Sequence, residues 1–143
     1  MAAASGFFYD ESFVAATSAS LVANQFCIVA LSTVTTINGR APIILCPNSS
    51  SGVNGGFGIL QDTPNVGRAG DVRILGISKL VATTSAAITQ GALITSTTAG
   101  QGCVADTTGQ VVFGRALSGS TALGVGSLID LLITGPTVFA LSS

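Results

Sequence analysis

The sequence predicts an all-β protein, with a small β-barrel-like or sandwich-like body and an extended N-terminal arm. Val, Ile, Thr and Leu occur in short runs, which Gly, Asn, Asp and Pro separate at regular intervals. Gly, Ser and Thr supply about a third of the chain, a composition that suits turns and pleated surfaces better than helices. The length of 143 residues is typical of one compact domain.

The arm is predicted over residues 1–20 and the body over residues 21–143. The arm carries four of the eight aromatic residues, Phe7, Phe8, Tyr9 and Phe13, without clear strand or helix periodicity. We expect these side chains to bind a partner or a neighbouring subunit, because they are too apolar to remain in water. The alternative is a first strand whose aromatic side chains complete the core of the same subunit.

The body is predicted to consist of short strands. They are expected at 25–31, 33–37, 42–46, 57–61, 72–77, 79–82, 93–95, 111–117 and 128–133. Asn38-Gly39 predicts a type I′ hairpin turn, because both positions of that turn need positive φ. Pro42 should then start a strand or lie at a sheet edge. The segment 47–56 is predicted to be an exposed loop. The strand 128–133 is apolar on both faces, so we expect it to be covered on both sides.

The charge content excludes several partners. Charged residues are only 8% of the chain and the net charge is −1, so no basic surplus is present to bind nucleic acid or a membrane surface. No apolar run approaches the ~18 residues of a membrane-spanning helix. The first positive charge is Arg40, which argues against a secretory signal and for synthesis in the cytosol.

Few side chains in the sequence can perform catalysis. The chain has no His, one Lys and one Glu, and neighbours Ser78 and Lys79 should point to opposite faces of a strand. The three cysteines, Cys27, Cys46 and Cys103, have no metal-site spacing and are expected to be buried, reduced thiols. We therefore expect no catalytic residues, no metal and no cofactor.

Arg115 and Asp130 form the charged pair of greatest interest. Asp130 is flanked by Leu128 and Leu132, so it is costly to bury alone, and Arg115 could neutralise it in the interior or at a subunit interface. The alternative is a solvated face on which the alkyl stem of Arg115 covers apolar surface. The sequence leaves both interpretations open.

Four motifs in order resemble the capsid decoration, or cement, proteins of tailed bacteriophages. They are Gly58-Ile-Leu-Gln-Asp-Thr-Pro64, Gly70-Asp-Val-Arg-Ile-Leu-Gly-Ile-Ser-Lys79, Gln90-Gly-Ala-Leu-Ile-Thr95, and Gly114-Arg-Ala-Leu117 followed by 127–133. The resemblance covers residues 58–133 and leaves 1–54 similar only in general β character.

The resemblance implies a symmetric oligomer, with a trimer favoured, on the outer surface of an icosahedral head. It would bind the major capsid protein, bridge neighbouring copies of it and resist the pressure of packaged DNA. The family has no catalytic residues to transfer. The alternative function is a glycan-binding or adhesive β module of a phage fibre or a cell surface, although the sequence has no Trp and only Tyr9 to stack on sugars.

Overall fold

The computed structural model describes residues 8–17, 20–33, 36–47, 55–121 and 127–138, and it confirms the all-β prediction. Within these ranges no helix is present, so none is long and apolar enough to span a membrane. The strands are β1 (Tyr9–Val14), β2 (Ile28–Leu31), β3 (Ile43–Leu45), β4 (Gly56–Leu60), β5 (Ala69–Val81), β6 (Leu93–Ser96), β7 (Gly102–Val104), β8 (Val111–Ala116) and β9 (Leu128–Val138).

The strands form one antiparallel sheet, which curls into a half-barrel. Their order across the sheet is β3-β2-β4-β5-β9-β8-β6-β7, and β1 pairs with β5. The 13-residue strand β5 connects the two parts of the sheet: its first half pairs with β1 and β4, and its second half pairs with β9. β5 therefore belongs to both parts of the sheet, the part with β1 and β4 and the part with β9.

Two apolar clusters lie on opposite faces of the β2–β4 region. Ile28 and Ile59 belong to the larger cluster, whereas their neighbours Val29 and Leu60 belong to the smaller one. Successive side chains of a strand point to opposite faces, so β2 and β4 are buried on both sides. The larger cluster is completed by Leu80, Ile94, Phe113, Ile129, Leu131 and Ile133, and the smaller one by Ala15, Leu21, Ile43 and Val72.

Within the predicted N-terminal arm, residues 9–14 are extended and lie against a strand of the predicted body. Tyr9–Val14 forms strand β1, which pairs with β5 along its whole length. Ala15 and Leu21 are fully buried in the smaller cluster, and Phe13 packs against it. Phe13, Ala15 and Leu21 therefore contribute to the core of their own subunit, because they cover one face of β2 and β4.

Several strands differ from their predicted bounds for identifiable reasons. β5 is continuous, although its sequence predicts two strands separated at Ser78, because Ser78 is buried and pairs with Leu131 of β9 as its neighbours pair with theirs. β7 is a three-residue strand around Cys103, too short to show periodicity in the sequence. Residues 33 and 36–37 of the predicted strand 33–37 contain only an isolated bridge from Ile37 to Arg40.

The predicted hairpin turn is confirmed. Asn38 and Gly39 have φ angles of 52° and 78°, as a type I′ turn requires. Pro42 directly precedes β3, the strand at one end of the sheet, which agrees with its predicted place. Most of the predicted loop at 47–56 lies outside the described residues.

Among the glycines that the structure describes, Gly114 is the one at which a side chain is expected to cost most. It pairs with Ile133 at a β-bulge between β8 and β9, and an added Cβ would overlap the carbonyl oxygen of Leu132. Backbone cannot move aside as a flexible side chain can, so Gly114→Ala should force β8 and β9 apart. Gly39→Ala is the matched control, since a Cβ there meets nothing within 4 Å and the cost is the positive φ alone.

We expect Gly39→Ala to cost ~1 kcal/mol of unfolding free energy, and Gly114→Ala at least ~2 kcal/mol more. Denaturant melts of the two variants and the parent protein measure both values. Equal destabilisation by the two substitutions would contradict the close β8–β9 approach.

Candidate functional site

Two exposed aromatic side chains mark the N-terminal end of β1. Phe8 is 56% exposed and Tyr9 is 48% exposed, and Tyr9 lies opposite the exposed Leu75 of β5. We call this group of Phe8, Tyr9 and Leu75 the N-terminal edge. The Tyr9 hydroxyl donates a 2.7 Å hydrogen bond to Glu11, and this bond to a carboxylate raises the pKa of Tyr9. The N-terminal edge therefore exposes apolar side chains beside the polar Tyr9–Glu11 pair.

Arg73 holds the N-terminal edge in a defined geometry. Its Nε and Nη2 atoms donate to the two carboxylate oxygens of Asp10 at 2.7 and 2.9 Å, and Nη1 donates to the Ile77 carbonyl at 2.8 Å. The hydrogen bond to Asp10 raises the pKa of Arg73. The guanidinium carbon lies 4.2 Å from the centre of the Phe8 ring. An aromatic ring stacked on a fixed guanidinium loses less conformational freedom when it binds a partner.

The predicted partner-binding residues fall into three groups. Phe8 and Tyr9 are exposed together at the N-terminal edge, where a partner can reach them. Phe13 lies inward instead and contacts Phe57 edge-to-face, with ring centres 5.0 Å apart. Phe7 lies outside the described residues. Sequence reasoning missed Arg73 and Asp10, whose pairing depends on the β1–β5 register rather than on any motif.

Arg115 and Asp130 do not pair with each other within the subunit. Asp130 lies directly opposite Lys79 on β5 and forms a 2.7 Å ion pair with it. Arg115 lies opposite Leu132, two residues along β9 from Asp130, and donates to the Gly91 carbonyl at 2.9 Å. The predicted Arg115–Asp130 pair is therefore not formed within the subunit. Lys79 lies directly across from the Asp130 carboxylate and pairs with it instead.

The expectation that β9 is covered on both sides also needs correction for the single subunit. Ile129, Leu131 and Ile133 are buried in the larger cluster, but Leu128 and Leu132 on the opposite face are 48% and 39% exposed. We call this exposed surface the outer face. It comprises Ile77 and Lys79 of β5, Leu128, Asp130 and Leu132 of β9, and Arg115 and Leu117 at β8.

The cysteines are free thiols, as the sequence predicts, with Cys27 and Cys46 buried and Cys103 half-buried. Burial raises the pKa of Cys27 and of Cys103, and the charge of Asp106 raises the pKa of Cys103 further. Because the thiolate is the reactive form, the folded protein should react slowly with a disulfide reagent.

At pH 8 we expect Cys103 to react more slowly than free cysteine, and Cys27 and Cys46 to react only on unfolding. Asp106→Asn should accelerate the reaction of Cys103, because removal of the nearby negative charge lowers the pKa of the thiol. Stopped-flow measurements with a chromogenic disulfide give the rates. Three thiols reacting as fast as free cysteine would contradict the described burial.

A shallow cavity of about 130 Å³ lies beside β1, lined by Phe13, Ile37, Asn38, Arg40 and Pro42 among others. Arg40 is the charged side chain of its lining, so the cavity does not bring together a nucleophile and a base. Ser78 is buried and the adjacent Lys79 is exposed, as expected for neighbours on a strand. In the described ranges no group of three or more potential ligand residues could hold a metal ion.

Comparison with known families agrees with the resemblance of the sequence motifs. A family model described as phage cement protein matches residues 12–130. The match includes the second half of β1 and the residues that follow it, where the motifs gave least support. A search of curated protein sequences gives no significant match.

Comparison of folds identifies a phage structure with a similar fold. The chain is similar to the N-terminal base of head fibre gp8.5 of bacteriophage phi29, with a TM-score of 0.63 and 18% sequence identity. The superposition covers 88% of this chain and 95% of that one. At this identity the similarity establishes a shared fold.

Proposed function

Because the chain belongs to the phage cement protein family, we propose that it binds the outer surface of an icosahedral phage head and stabilises the lattice of major capsid proteins. The observation that carries this proposal is the family match over 119 residues, from 12 to 130. A cement protein is a structural component of the virion, which fits a chain with few potentially catalytic side chains. The proposed role is therefore structural, without enzymatic activity or a cofactor.

We propose that the N-terminal edge contacts the major capsid protein. Exposed aromatic side chains are over-represented among the residues that dominate protein interfaces, and a fixed geometry reduces the entropy lost on binding. The bidentate Asp10–Arg73 pair and the Arg73–Phe8 contact supply that fixed geometry. The low net charge of the chain means that the contact relies on apolar burial rather than on long-range attraction.

The proposed assembly is a symmetric homo-oligomer, with a trimer favoured by the family resemblance. Several copies of the N-terminal edge would then bind one shell together, so modest individual contacts would give tight attachment. Each oligomer would bridge neighbouring capsid subunits. The bridging would oppose expansion of the shell under internal pressure.

Addition of purified protein to heads that lack it tests the proposed function. We expect saturable co-sedimentation with heads, and DNA-filled heads that retain their DNA at higher temperature once they are coated. Heads incubated with an unrelated β protein of equal size are the control. Failure to bind heads that have no cement protein would refute the proposal.

A second candidate function follows from the fold similarity to a head fibre base. In this alternative the chain is part of a fibre or adhesive module, and few copies per virion are needed. The two functions differ in copy number, which virion composition measures directly.

A further inference from the structure

The outer face presents two rows of side chains across three strands. Ile77, Leu132 and Arg115 lie side by side on β5, β9 and β8, and Lys79, Asp130 and Leu117 form the next row. Ile77 is 49% exposed, and Leu117, Leu128 and Leu132 are also exposed. The opposite face of the same strands packs in the larger cluster, so the sheet is apolar on both faces but covered on one. Leu75, which belongs to the N-terminal edge, is the next exposed aliphatic side chain along β5.

We propose that the outer face binds a second copy of this chain. Its exposed aliphatic side chains form an apolar area on the order of 400 Å², within the range of functional patches on monomers. Interfaces are roughly 60% apolar, so a contact built around this area buries roughly 600–700 Å² per subunit. That area approaches the ~800 Å² per partner of a standard stable interface.

The charges of the outer face select a second copy as the partner. The face carries charges of both signs. Asp130 forms an exposed ion pair with Lys79, and the exposed Arg115 of β8 lies opposite Leu132, two residues along β9 from Asp130. A surface with both charges can be placed so that opposite charges of two copies meet, whereas a surface of one sign repels its copy. When the outer faces of neighbouring copies pack around the symmetry axis of the oligomer, Arg115 of one copy lies close to Asp130 of the next. The Arg115–Asp130 pair that the sequence suggests is then formed between subunits.

This inference rests on the oligomeric part of the proposed function and not on capsid binding. It identifies the surface through which copies associate, whereas the N-terminal edge is the surface proposed for the shell. Measurement of the oligomeric state in solution, without heads, therefore separates failure of one proposal from failure of the other.

Ile77→Glu tests the apolar part of the interface. The substitution places a charge among the exposed aliphatic side chains of the outer face, and we expect the subunit dissociation constant to increase at least ~100-fold in sedimentation equilibrium. Val66→Glu is the matched control, because Val66 is also 49% exposed but lies in the turn before β5. Circular dichroism and a cooperative melt of both variants verify that the subunit remains folded.

Mixing two charge variants tests whether the ion pair forms between subunits. Arg115→Glu and Asp130→Arg should each associate weakly, since like charges then meet at the interface. An equimolar mixture should associate again, because the carboxylate introduced by the first substitution faces the guanidinium introduced by the second. A parent protein that stays monomeric up to millimolar concentration would overturn the proposal. Unchanged association of Ile77→Glu would also overturn it, as would a mixture no more associated than the separate variants.

Discussion

Removal of residues 1–16 is expected to leave a chain that aggregates or no longer melts cooperatively. The truncation removes β1, which pairs with β5, and deprives Arg73 of the Asp10 carboxylate. It also eliminates the ring contact between Phe13 and Phe57 and exposes the smaller apolar cluster around Leu60. These losses together are comparable with the ~5–15 kcal/mol by which a domain of this size is stable. Solubility and a thermal melt measure the outcome.

Two kinds of single substitution separate the structural part of the segment from its exposed part. Phe13→Ala should cost ~2 kcal/mol, because the ring packs against the smaller cluster. Phe8→Ala and Tyr9→Ala should each cost less than ~1 kcal/mol, since both side chains are about half exposed. A soluble, cooperatively melting truncated protein would instead support an arm that is independent of the body.

The double substitution Phe8→Ala and Tyr9→Ala is expected to abolish most binding to heads while the protein stays folded. If each half-exposed ring contributes ~1 kcal/mol on burial, the loss is about 30-fold for one subunit. Several subunits bind together in an oligomer, so the loss for the oligomer is larger. Co-sedimentation of the variant with heads that lack the protein measures the effect.

Val66→Ala provides the control for that experiment, because Val66 is also exposed but lies away from the N-terminal edge. We expect this variant to bind as the parent protein does. Equal binding by the double variant and the parent would show that another surface contacts the shell.

Much of the fold could be predicted because local sequence determines it. Asn38-Gly39 specifies its turn through positive φ, and the apolar run 128–133 identifies β9 as a strand, although not which of its faces is exposed. Ser78 and Lys79 likewise take opposite faces as alternation requires. In each case a few adjacent residues contain the whole signal.

The parts that could not be predicted depend on contacts between distant residues. β1 contains Asp10, Glu11 and Ser12, so its sequence does not alternate clearly, and pairing with β5 defines it. The partner of Asp130 is Lys79 rather than Arg115 because of the β5–β9 register, which sequence spacing does not reveal. Arg73 was likewise missed as the residue that fixes Phe8, because Asp10 is 63 positions away. Register and strand order are long-range properties of the sheet.

Copy number in purified virions is the most direct test of the proposed role as a cement protein. Quantitative mass spectrometry, with the major capsid protein as internal standard, gives the number of chains per particle. A protein that covers the shell should be present in hundreds of copies, in a fixed ratio to the capsid protein. A few copies per particle would contradict a cement role and favour the fibre alternative.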